Sequence, residues 1–150
     1  MEMGMAIKLA LLTLGLLSCG VFGRGQDITP LTVAFYHPPT QYQVWADQAL
    51  HCAKQLKESD PTLPFEVVLD SIDINQIVWG VVATERADRG FKCRIGICVG
   101  IATLPDTILL SSWYMYQAWV VRHEVLHLAV VKETEDQVAH GVPWGLCEVF

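Results

Sequence analysis

Residues 123 to 127 read His-Glu-Val-Leu-His and lie inside an apolar stretch, Ala118 to Val131, whose length and composition predict a helix. At about 3.6 residues per turn His123 and His127 fall on one face, a single turn apart, so both imidazoles can reach one metal ion. Glu124 is turned too far round the helix to join them as a ligand. It is placed instead to hold and deprotonate a water on that metal, a division of labour suited to hydrolysis. Trp119, Val120, Val121, Val125, Leu126, Leu128, Ala129 and Val130 surround the polar triplet, and a helix apolar all round belongs in a core. Ionisable groups are seldom buried unless something pairs with them, and a shared metal would satisfy both histidines and orient the glutamate. The competing reading is a pair of core histidines bonded to backbone carbonyls, with Glu124 reaching solvent.

The H-E-x-x-H spelled by His123, Glu124 and His127 resembles that of the zincin metallopeptidases. The resemblance implies Zn2+ on His123 and His127, Glu124 as the catalytic base, and a peptide or protein as substrate. It also implies an α+β, zincin-like fold: a helix-backed mixed twisted sheet followed by the buried motif helix, with an antiparallel edge strand lining the substrate cleft.

The third ligand is expected from the chain beyond the motif helix. His140 is the choice, because the intervening loop can fold back under the helix, and Gly141 and Pro143 would fix a bend that aims the imidazole. The metzincin extension fails, since its glycine position is Val130 and its last ligand position is Glu133. A gluzincin-type glutamate would come from a later helix, whereas Glu148 sits near the end of the sequence with no helix evident to carry it. Glu133, Asp136 and Glu148 remain alternatives on ligand chemistry.

Toward the N-terminus Lys8 precedes the apolar run Leu9 to Leu17, and Ser18-Cys19-Gly20 follows. A basic start, a short apolar middle and small residues at the exit predict a signal peptide over residues 1–22, and the run is short for a membrane span. Leu16-Leu17-Ser18-Cys19 also resembles a bacterial lipobox, which would place a lipid on Cys19 and the protein on the cell envelope; simple cleavage and secretion is the alternative. Residues 23–30 read as a tether and 31–150 as one domain with one core.

Setting Cys19 aside leaves Cys52, Cys93, Cys98 and Cys147, an even set suited to an oxidising compartment. Cys93 and Cys98 enclose a short glycine-containing loop and are expected to pair, leaving Cys52 to clamp Cys147. Lys and Arg number 10 against 16 Asp and Glu, with no basic cluster to recommend nucleic acid. The elements that must position the motif follow in order: a strand at Leu31 to Tyr36, a helix at Tyr42 to Lys57, and strands at Phe65 to Leu69 and Ile77 to Thr84. A charged turn at Glu85 to Gly90, strands at Val99 to Thr103 and Thr107 to Ser111, and the motif helix from about Trp113 complete the set. Val99 to Thr103 and Gly90 to Arg94 are the candidates for the edge strand. Zinc-dependent peptide hydrolysis is the expected function; Tyr114, Tyr116 and Trp144 are read as core or rim packing, with an oxyanion donor among them as the alternative. The alternative is a non-catalytic metal-binding or structural envelope lipoprotein.

Overall fold

A computed structural model describes residues 31–94, 96–132 and 140–149. The expected signal peptide, lipobox and tether, and the ligand alternatives Glu133 and Asp136, lie outside the described residues.

The first strand, β1 (Val33–Phe35), leads into helix α1 (Gln41–Ser59). Along α1 the residues Tyr42, Ala46, Ala49, Leu50 and Ala53 recur at helical spacing and are buried. Three of them are alanines, which lets a second helix approach closely. Strand β2 (Phe65–Val67) follows, then a 3-10 turn at Ile74–Gln76 and strand β3 (Val78–Val82). The chain next forms a hairpin from β4 (Phe91–Cys93) and β5 (Gly96–Cys98), closed by a Cys93–Cys98 disulfide. Gly96 has φ +130°, a conformation that a residue with a Cβ adopts only with strain, so the tight reversal requires glycine. After Val99 come β6 (Gly100–Thr103) and β7 (Thr107–Ser111).

Four strands make the principal sheet in the order β1-β3-β7-β6. Only β3 and β7 run parallel; β1 and β6 are antiparallel to their neighbours, so the sheet is mixed and β6 is an antiparallel edge strand. That settles the choice between the two candidates, because Gly90 to Arg94 belongs mainly to the separate hairpin.

The motif helix α2 (Ala118–Ala129) packs against α1, β6 and β7. Val120, Val121, Val125 and Leu126 on α2 are fully buried and share one core with Trp79, Ile108 and Leu110 of the sheet and Tyr42 of α1. Full burial of one such side chain stabilises by roughly 1.5–3 kcal/mol, so this cluster is what fixes α2 on the sheet.

The helix is shorter than the sequence suggests at its start. Residues 112–116 form consecutive turns, with Tyr114 N–H bonded to Ser111 O at 2.9 Å and Gln117 N–H to Tyr114 O at 2.9 Å. The indole of Trp113 donates to Thr84 O at 3.0 Å, and the Tyr42 hydroxyl donates to Met115 O, so this segment is tied to the domain body instead of winding into the helix. At the other end α2 stops at Ala129. Val130 and Val131 favour strand, and β8 (Val130–Lys132) pairs antiparallel with β2. A last short helix, α3 (Trp144–Cys147), is held to α1 by the Cys52–Cys147 disulfide. Both disulfides are those expected from the cysteine spacing, and they are compatible with an extracellular protein. Among the described residues no helix is long and apolar enough to cross a membrane.

Candidate metal centre

Helix α2 places His123 and His127 on one face, their ring centroids 5.0 Å apart. His140, from the segment leading to α3, joins them, with ring centroids 4.5 Å from His123 and 4.9 Å from His127. The Nε2 atom of His127 lies 3.3 Å from that of His123 and 3.0 Å from that of His140. The three residues thus offer ligand nitrogens that all lie within 4.8 Å of one another. Both histidines of α2 are partly buried and His140 is exposed.

His123 Nδ1 lies 2.6 Å from Glu148 Oε2. With the proton on Nδ1 donated to that carboxylate, Nε2 keeps its lone pair and aims it at the other two rings. A cation accepts all three lone pairs at once. Tetrahedral ligands at the usual Zn–N distance of about 2.0–2.1 Å lie roughly 3.3 Å apart, close to the two separations seen here. The donor set therefore fits zinc, whose structural and catalytic sites favour imidazole nitrogen. Other metals that take three imidazoles fit the same donors.

Glu148 is the alternative ligand whose place the sequence misjudges. It does have a helix behind it: Glu148 is the C-terminal cap of α3, and it meets the outer nitrogen of His123 instead of the shared centre. Three features hold it there. The disulfide at Cys147 anchors the preceding residue, the buried Trp144 ring packs 5.0 Å from His127 and 5.7 Å from His140, and Arg122 approaches the Glu148 carbonyl at 3.5 Å. Arg122 is 5 % exposed and bonds Gln48 Oε1 of α1 at 2.6 Å. Sequence reading passed over Arg122, although a lone arginine beside the motif in an apolar run was the available signal.

Glu124 does not reach solvent as the core-histidine reading required. It is 4 % exposed, shut in beside edge strand β6, where the backbone of Ala102 favours its charged form. Burial pushes its pKa up to about 8, against the opposing effect of the Ala102 backbone. The strand admits this side chain because residue 100 is glycine: a Cβ there would stand 2.5 Å from Glu124 Oε1 and 2.8 Å from its Cδ. Gly100 is thus a second site residue that sequence reading missed.

A cleft of about 360 Å³ opens over these groups. His123, Glu124, His127 and His140 line it together with β6, Cys93, Arg94 and Cys98 of the β4–β5 hairpin, and Trp119. Tyr114 packs edge-on against Trp119, Tyr116 is 67 % exposed and Trp144 is buried behind the histidines. None of these three is among the described residues lining the cleft, which accords with packing and gives the alternative of an oxyanion donor no support. Comparison with protein-family models, with curated proteins and with solved structures finds no match to this chain; what the structure adds to the H-E-x-x-H spacing is the convergence of three histidines.

Proposed function

We propose that this chain is a zinc-dependent metallopeptidase of zincin type. The observation that carries the proposal is the convergence of three imidazole nitrogens in a cleft that also contains Glu124 and an antiparallel edge strand. His123, His127 and His140 would hold the metal. Zinc bound there supplies a Lewis acid that polarises a peptide carbonyl and brings the pKa of water to about 7.

The chain's own groups perform the remaining work. Glu148 holds the His123 ring in the tautomer that keeps Nε2 available. Strand β6 offers backbone groups on its open edge to an extended peptide, as edge strands do in peptide recognition. Glu124 accepts a proton from the attacking water at its carboxylate and delivers it to the leaving nitrogen as the C–N bond breaks. Gly100 leaves room for that carboxylate between the helix and the strand. We further propose that the protein works outside the cytoplasm, exported by its N-terminal segment and anchored to a bacterial envelope through lipid on Cys19.

A metal-binding protein without turnover is the second reading, and the burial of Glu124 against β6 favours it, since a working base must reach the metal-bound water. Glu124→Gln separates the two. A peptidase loses hydrolysis by about 10²–10⁴-fold in this variant while retaining zinc. If wild type carries zinc and cleaves no peptide in a broad library, the second reading stands.

A further inference from the structure

Arg94 has a position that neither metal binding nor proton transfer uses. It lies just after β4, at the turn of the hairpin, and it lines the same cleft as His123, Glu124, His127 and His140. It is the one Lys or Arg side chain among the described residues of that lining. The other arginines among the described residues are engaged elsewhere: Arg86 pairs with Asp88, Arg89 stacks on Trp113 and Arg122 bonds Gln48. The Cys93–Cys98 disulfide closes the hairpin beside Arg94, which fixes the backbone that carries it. The neighbouring lining is apolar, with Val99, Ile101, Trp119 and Val120.

We propose that Arg94 is a specificity-determining residue that selects peptides bearing a carboxylate close to an apolar side chain. This rests on the peptidase reading and names its substrate class. The apolar walls take an aliphatic or aromatic side chain, and the guanidinium at the hairpin pairs with an Asp or Glu side chain nearby in the peptide. On a chain whose net charge is −6, a cation in the cleft is also the local feature that draws an acidic ligand against the overall field.

The test uses zinc-loaded protein and fluorescent peptides that are identical except for Glu, Gln or Lys at positions flanking one apolar residue. Binding is read by anisotropy and cleavage by chromatography. Wild type should bind the best Glu peptide about two- to five-fold tighter than its Gln counterpart and bind Lys weakest, the size expected of an exposed ion pair. The preference should shrink in high salt. Arg94→Glu should reverse the order and Arg94→Gln should flatten it. Equal binding of the three peptides, an order unchanged in Arg94→Glu, or no binding of any of them overturns the proposal. Binding with the expected order but without cleavage upholds the role of Arg94 while sinking the peptidase reading, so the two failures are distinguishable.

Discussion

Glu148 Oε2 lies 2.6 Å from Nδ1 of His123, on the side of the ring away from His127 and His140. Twenty-five residues of sequence separate the two, and the contact is what turns the end of the described chain into part of the site. A carboxylate behind a ligating imidazole fixes its tautomer and raises its basicity. Glu148→Ala and Glu148→Gln should each weaken zinc binding by about 10–100-fold, measured by competition with a chelator. The thermal midpoint of the metal-free protein should move little. Unchanged affinity in both variants would remove Glu148 from the site.

Gly100 is the position where backbone and base meet. Gly100→Ala puts a methyl 2.5 Å from Glu124 Oε1 and forces the carboxylate away from β6. Peptide hydrolysis should fall by about 10²-fold or more, as loss of a positioned base does, with zinc content unchanged. Full activity in this variant would show that the carboxylate works from another position.

The burial of Glu124 has a pH signature in the metal-free protein. Its carboxyl titrates at 4.5 when unperturbed and at about 8 in the folded chain. A raised folded value means that the folded state holds the proton while the unfolded state releases it. The contribution to stability is therefore complete below about pH 4.5 and is lost as pH rises through about 8, at up to about 1.36 kcal/mol per pH unit. Urea unfolding of metal-free protein should show stability relative to Glu124→Gln declining between about pH 5 and pH 8. A difference that stays flat across that window would contradict the burial assigned to Glu124.

The Cys52–Cys147 disulfide closes 95 residues of sequence and anchors the residue before Glu148. Replacing both cysteines with alanine should cost about 2–5 kcal/mol by denaturant unfolding and should lower zinc affinity in the same variant. The Cys93/Cys98 pair, five residues apart in a peripheral hairpin, should cost less and leave zinc affinity unchanged. Equal effects of the two pairs on zinc affinity would contradict this separation of roles.

Much of this arrangement was legible in the residues because it is local. His123, Glu124 and His127 share one helical turn and need only the 3.6-residue period to be placed together. His140 was legible because the loop after the helix is long enough to fold back and Gly141 and Pro143 suit a bend beside it, and Val99 to Thr103 because its composition suits a strand. Contacts set by tertiary packing were not. The Glu148–His123 bond depends on α3 being pinned to α1, and no spacing within 132–148 specifies it. Gly100 matters only because Glu124 is pressed against β6. The start of α2 was placed early because apolar residues at 113–116 continue a helical pattern, while Trp113 and Met115 are held in turns by bonds to Thr84 and Tyr42.

The central claim is that His123, His127 and His140 form one metal centre, and metal content of the purified protein measures it most directly. Elemental analysis after zinc loading and dialysis should find one zinc per chain in wild type, and little or none in His123→Ala, His127→Ala and His140→Ala, each still folded by circular dichroism. Zinc absent from wild type, or retained in full when these histidines are replaced, would contradict the account.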